Sequence, residues 1–477
     1  MEKDKNEACW DALTLFSFLW ACQALVHQEF YNAWIQNENF WGWLLTLSAT
    51  SVLVFPRSRV LFCCMLMLSV IYNVEKWPFV VNHILVETLF NLVILLAFLV
   101  TRLEAQPFSS ARVLSRFVPV LQVSMVVMYY FAILAKLNAG FFDPQQSCVV
   151  VMFDDLCQRF PFVPENDWTR QSAIWGTILI ESAIPVLLTF RRTQWLAILA
   201  GLAFHFMLGL IGHRTFSGLA YAVYGLFLLP ALTATTNRFL NWLRGLFGFG
   251  GLRLAWKVGA VAAVGVVIGV TLAEYTGNYR AGPGPFKVYR FPWVIWISWS
   301  LLLGALYCIT IRCVEGRETR RDPDAGNARP GWLWLFVVIV FCNGCSQYLG
   351  LKTETCFTMY SNLRTEGGVN NHFFMPALRI AGFQDDLVEI LDTDNRDLLE
   401  NYLQKENYIT AFEFHRLISS ADEGFFVEFR HEGKVQRIDL ANSKTDSHPL
   451  LEKQNLFMRK LLFFRPVPKS DLSPCQH

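Results

Sequence analysis

One lysine at the end of an apolar run, and several histidines and carboxylates set in or beside other apolar runs, are the groups here whose types suit acid–base chemistry. Lys136 closes the stretch FVPVLQVSMVVMYYFAILAK, which begins at Phe117. Counted at about 1.5 Å per residue, it lies roughly 28 Å along a helix, near the edge of a bilayer core. An amine there either snorkels to the interface or acts as a base in a half-dry pocket. His83 stands beside Asn82 at the start of a further apolar run, with Glu87 one turn deeper on the same side. Glu181 lies midway along ILIESAIPVLL, His205 midway along GLAFHFMLGLIGH, and His213 near the end of that run. Ionisable groups are costly inside a membrane, so each is a candidate site residue. Two arrangements satisfy them. Either Glu181 and His205 pair to hold two helices together, or the set lines a cavity in which a base and orienting groups receive a polar ligand.

The elements that must position these groups are membrane helices. Of 477 residues, 53% are hydrophobic and 17% charged, against about 25% charged in soluble domains. Sixteen Trp and 41 Phe suit lipid-facing helices and interfacial aromatic belts. The net charge of +2 and the lack of a basic arm exclude nucleic acid as an expected partner. The N-terminal MEKDKNEACWDALTLFSFLW has the charge of a signal peptide without a small-residue cleavage site, and reads as a retained first span.

Apolar runs predict about eleven spans, near 11–27, 40–56, 60–74, 84–101, 117–137, 172–190, 194–212, 215–233, 254–273, 292–311 and 331–350. Arg57 and Arg59; Arg102, Arg112 and Arg116; Arg191 and Arg192; Arg238, Arg244 and Arg253; and the cluster from Arg312 to Arg329 fall in alternate loops. The positive-inside rule then puts the N-terminus in the cytoplasm and residues 351–477 outside it. That tail changes character. Phe425 to Arg430 and Lys434 to Leu440 alternate around a His-Glu-Gly turn and predict a β-hairpin. Asn395 to Leu417 predicts one or two amphipathic helices capped by Asp394 or Asn395. The expected fold is an all-α multi-pass membrane bundle over residues 1–350, with a small extracytoplasmic α+β domain over 351–477 that extends through Leu450 to Pro468.

Twelve cysteines are present, most of them inside apolar runs, where Cys acts as a small hydrophobe. Cys148 and Cys157 share a loop and could bridge in an oxidising compartment. Cys342 and Cys345 have redox or metal spacing but no second pair. Glu366 with Asn370, Asn371 and His372 could ligate a metal, or could order a polar loop against the bundle. The sequence contains no nucleophile elbow, P-loop or zinc-protease helix.

Three ordered segments carry a family likeness. Asn82-His83, then YYFAILAKLN ending at Asn138, then AFHFMLGLIGHRTFSGLAYAVYGLFLLP resemble the corresponding parts of vitamin K-dependent γ-carboxylase and of its bacterial relatives, the horizontally transferred transmembrane proteins. TMYSNLRTEGGVNNH, ending at His372, is similar to a segment of bacterial members. The resemblance covers roughly residues 10–310. It implies that Lys136 deprotonates reduced vitamin K or another quinol, whose oxygenation then drives removal of a glutamate γ-proton and capture of CO2. It further implies that His83 stabilises developing charge, that His205 is a cavity residue, and that Glu181 is the acidic group of the neighbouring helix. The implied partners are the bilayer, a quinone-type lipid and a glutamate-containing peptide or protein, and the implied location is a bacterial inner membrane. Departures fall on the peptide side. Asn138-Ala139-Gly140-Phe141 replaces the Asp-Ala-Asp-Trp that follows the family lysine, and about 125 residues stand where the family has a large β-rich region. The competing expectation is a non-catalytic assembly or transport protein that keeps the bundle, with Lys136 among headgroups.

Overall fold

A computed structural model describes residues 9–30, 40–276, 290–314, 329–421, 424–440, 449–470 and 475. The loops at 31–39 and 277–289, and most of the polar stretch 316–331, lie outside the described residues.

Among the described residues, twelve helices of more than ten residues precede residue 346. They are α1 (Ala12–Phe30), α2 (Phe40–Val54), α3 (Arg59–Lys76), α4 (Asn82–Leu103), α5 (Ser110–Lys136), α6 (Cys148–Arg159), α7 (Asp167–Thr189), α8 (Gln194–Leu210), α9 (Arg214–Phe227), α10 (Leu229–Thr276), α11 (Arg290–Val314) and α12 (Leu335–Cys345). Local chemistry fixes several of their starts. The Ser58 side chain accepts from the Leu61 amide at α3, and Asn166 with Thr169 forms a capping box at α7. Chain neighbours mostly pack together, as in α1–α2, α2–α3, α3–α4 and α4–α5, and α5 also packs on α7 and α12. One continuous core runs through the bundle, from Leu13 to Leu363.

Among the described residues, five helices are long and apolar enough to cross a membrane: α4, α5, α7, Gly250–Gly269 within α10, and Val294–Cys313 within α11. The runs at 40–54, 194–210 and 331–345 are helical but shorter. Eleven full spans were expected, and the largest departure is the run 215–233. It breaks into α9 and Leu229–Gly248, which meet at a bend of 95° and form either a broken span or a re-entrant element. Pro230 accounts for the break, because its ring removes an amide donor and clashes with the preceding turn.

The two ends of the bundle differ. At one, Arg57 donates to the Cys9 carbonyl and Arg59 binds Asp11, Thr14 and Ser110, while Arg244, Arg253 and Lys257 line a second cavity with Trp10. At the other sits the C-terminal region. Its second core gathers only from Val388 onward, whereas Tyr348, Phe357 and Leu363 belong to the bundle core. Residues on both sides of the boundary expected at 350/351 thus pack into the bundle core.

The C-terminal sheet has the order β4–β3–β1–β2–β5, all antiparallel, built from β1 (Leu387–Thr393), β2 (Asn407–Thr410), β3 (Phe426–His431), β4 (Lys434–Asp439) and β5 (Val467–Pro468). The expected hairpin is β3–β4. Its turn residues Glu432 and Gly433 take φ of 49° and 76°, the two left-handed positions of a type I′ turn. Asn395 to Leu417 is not simply helical. Asn395 caps one short helical turn, then β2 pairs with β1, and α13 (Ala411–Ser419) follows. Cross-strand pairing overrides the helical pattern of Asn407–Thr410.

Candidate active site

Lys136 is the last residue of α5, where the helix dipole favours a cation. It is 3% exposed, and its Nζ lies 2.9 Å from Glu181 Oε2 on α7 and 3.3 Å from the Ala132 carbonyl. Pro185, four residues after Glu181, lacks the amide that would otherwise occupy the Glu181 carbonyl, so α7 is loosened beside its acid. Glu181 therefore pairs with Lys136 and not with His205, as one reading of the sequence had it.

The pair borders a mainly apolar cavity of about 370 Å³, within the range that holds small organic ligands. Asn82, His83, Tyr129, His213 and Glu354 share its wall. His83 stacks on Phe216 with ring centroids 5.6 Å apart, and its Nε2 is buried without a protein partner. Asn82 caps the C-terminal segment instead of facing only the ligand space: its Oδ1 accepts from the Phe357 amide at 2.5 Å. His213 Nδ1 meets the Tyr360 hydroxyl at 3.1 Å.

His205 is fully buried and lies behind the wall. Its Nε2 is 2.7 Å from the Tyr129 hydroxyl, which is 2.6 Å from that of Tyr224, and Phe216 packs edge-on against its ring. The expected convergence of Lys136, His83 and His205 on one pocket is thus corrected. Lys136 and His83 line the cavity, and His205 stands behind Tyr129 and Phe216. Tyr129 precedes Lys136 by seven residues, a spacing that puts both on one face of α5.

Glu87 also departs from the expected cavity role. It anchors a separate polar core in which His27 Nδ1 lies 3.0 Å from its Oε2, Gln23 donates at 2.9 Å and Ser69 at 3.1 Å. Asn91 donates to Ser69 and accepts from Trp20. A buried carboxylate needs such donors, and this set satisfies it inside the bundle.

Two features of the cavity were not read from sequence. Helix α6 covers it with Val149, Met152, Phe153 and Leu156, an i, i+3, i+4, i+7 stripe. Asp154 on its other face is held by Arg170, and Arg159 donates to the Leu210 carbonyl. The second is the segment Glu354 to Asn362. Thr355, Phe357, Tyr360 and Asn362 all have positive φ, at 57°, 68°, 52° and 53°, a conformation that costs roughly 1 kcal/mol or more for each non-glycine residue. Side-chain amides hold it there. Asn343 donates to the Thr355 carbonyl, Asn138 to that of Ser361, and Asn362 accepts from the Cys148 amide. Glu354 is carried on this strained wall. Burial pushes its carboxyl up to about 7, although Arg465 and Lys352 oppose the shift.

The segment ending at His372 orders itself against the bundle. His372 Nε2 donates to the Leu134 carbonyl at 2.8 Å, and its Nδ1 accepts from the Phe374 and Met375 amides. Glu366 is paired with Arg465 at 2.7 Å. Among the described residues no group of three or more His, Cys, Asp or Glu side chains is arranged for a metal ion. Cys148 bonds to Cys475, not to Cys157, which is a free, buried thiol. The reason is geometric: Cys148 and Cys157 are nine residues apart on α6, about 13 Å along its axis, beyond disulfide reach. Cys342 and Cys345 are free thiols on α12.

No family model, no curated protein and no solved structure matches this chain.

Proposed function

We propose that this chain is an integral membrane enzyme of the vitamin K-dependent γ-carboxylase type, acting on a quinol-like lipid in the cavity between α5, α6 and α7. One observation carries the reading: a buried amine–carboxylate pair, Lys136–Glu181, stands at the wall of an apolar cavity that His83 also lines, and the Nε2 of that histidine is buried without a protein partner. Five helices able to cross a membrane are compatible with a ligand that arrives through lipid.

The pair works as a unit. A ligand hydroxyl at this wall gives its proton to Lys136 Nζ or to Glu181. His83, as its Nε2–H tautomer, donates to the oxygen left behind and lowers the cost of its charge. The apolar lining excludes water and strengthens both interactions. When bound, reduced vitamin K or a related quinol would supply the reducing equivalents, with O2 and CO2 as co-substrates. Tyr129, fixed by His205 and Tyr224, positions the α5 face that presents Lys136. The C-terminal segment contributes Glu354 to the same wall.

The test is an assay of the full chain in lipid nanodiscs with reduced vitamin K, oxygen, a glutamate peptide and labelled bicarbonate, set beside Lys136→Ala. Label that enters the peptide only with the intact lysine supports carboxylation. Lysine-dependent quinol oxidation without label indicates the same proton-accepting site with another acceptor. No lysine-dependent change in either signal overturns the proposal.

A further inference from the structure

Two apolar prongs project from the C-terminal region at the level where the bundle helices end. The first is the irregular segment 373–380, in which Phe374 is 64% exposed and Ile380 75%, with Phe373 and Leu378 also exposed. The second is the short helix α14 (Leu456–Leu461), whose Leu456 and Phe457 are exposed, the latter to 72%. Isolated exposed apolar residues need no explanation, but clusters of large ones mark a contact surface.

Both prongs are pinned to span ends. The Phe373 amide donates to the Leu137 carbonyl one residue past the end of α5, and Ala139 donates to Asn371. The Phe373 ring stacks on Phe142, which packs on Trp175 of α7. Trp175 is itself half exposed, so the apolar surface of a candidate span continues without interruption onto the prong. At the second prong, Lys460 donates to the Val74 and Glu75 carbonyls at the end of α3, and Phe463 packs edge-on against exposed Phe79. Arg459 and Lys460 follow the exposed Leu456 and Phe457 in α14. Large apolar side chains beside basic ones are the composition of a segment that lies in a membrane interface.

We propose that the C-terminal domain is also a membrane-contacting module: segment 373–380 and helix α14 enter the headgroup–acyl boundary of the bilayer that surrounds the bundle, and hold the domain over the cavity. The occupant of this surface is phospholipid. The inference rests on the bundle being embedded in a membrane and is independent of quinol chemistry. Because His372, Asn138 and Lys136 lie within a few residues of the first prong's anchor, lipid contact there also brings the bilayer to the cavity wall.

The experiment places the photocrosslinker p-benzoylphenylalanine singly at Phe374 and at Phe457 in the full chain, in nanodiscs of phosphatidylcholine and phosphatidylglycerol with labelled acyl chains. Leu302, exposed on a candidate span, and Val435, exposed on β4, serve as comparison sites. The expected result is lipid label at Phe374 and Phe457 approaching that at Leu302 and severalfold above that at Val435. Label at Leu302 with only the Val435 level at both prongs overturns the inference and leaves the bundle's embedding intact. Protein–protein adducts at Phe374 without lipid label also overturn it, in favour of a second copy of the chain. An unlabelled Leu302 overturns the membrane reading itself, and the inference falls with it.

Discussion

Lys136 Nζ and Glu181 Oε2 stand 2.9 Å apart on different helices, both nearly closed to solvent. An ion pair so placed gains its attraction against a large desolvation cost, and the loss of one partner leaves the other charge stranded. Lys136→Ala is therefore expected to destabilise the bundle by about 3 kcal/mol, and Glu181→Ala by a similar amount. The double replacement Lys136→Met with Glu181→Leu should cost less than the sum of the two. Thermal unfolding of the four proteins in one lipid system measures this coupling. Additive losses would show that the two groups do not act together.

The Tyr129 hydroxyl is shared between His205 Nε2 and the Tyr224 hydroxyl. Tyr129→Phe leaves both of those buried groups without their partner, at a cost of about 1–3 kcal/mol. Gly201→Ala should perturb the same triad from outside, because a methyl group there would lie 2.4 Å from the Tyr224 hydroxyl oxygen. Both variants are expected to lower the melting temperature and to reduce, without abolishing, any quinol turnover of the kind proposed above. Full activity in Tyr129→Phe would remove Tyr129 as a positioning residue for Lys136.

Glu354 gives stability a pH dependence of definite sign. Its carboxyl is raised from 4.5 to about 7 by burial, so between those values the folded chain keeps a proton that the unfolded chain has released. This contribution is fully present below about pH 4.5 and is lost as pH rises through 7. Its size is on the order of 3 kcal/mol. Glu354→Gln should flatten the stability profile across this window and leave the rest of the curve in place. An unchanged slope in the variant would show that Glu354 is ionised in the fold.

The bond from Cys148 to Cys475 ties the first residue of α6, which covers the cavity, to the chain terminus 327 positions away. Peptide mapping without reductant should recover these two cysteines linked, with Cys157 alkylated only after denaturation. Cys475→Ser should lower stability by about 2–5 kcal/mol and increase protease access to α6. Recovery of a Cys148–Cys157 peptide would contradict the helical path of α6.

Residue type and periodicity alone made the apolar helices, the β3–β4 hairpin and the unusual setting of Lys136, Glu181 and His83 legible. An ionisable side chain within a long apolar run stands out whatever surrounds it, and an alternating pattern around Glu432-Gly433 admits few structures. Periodicity does not report which helix faces which, or how each is rotated. Only the packing of α5 on α7 gave Glu181 to Lys136 and left His205 to Tyr129. Only the approach of α1 and α3 to α4 drew Glu87 away from the cavity towards His27, Gln23 and Ser69. Glu354 carries no local signal at all, because its place on the wall depends on a segment that folds back over the bundle. The sequence determined which ionisable groups stand within apolar runs. The tertiary structure decided their partners, because desolvation is a property of one residue and compensation is a property of two that meet across the fold.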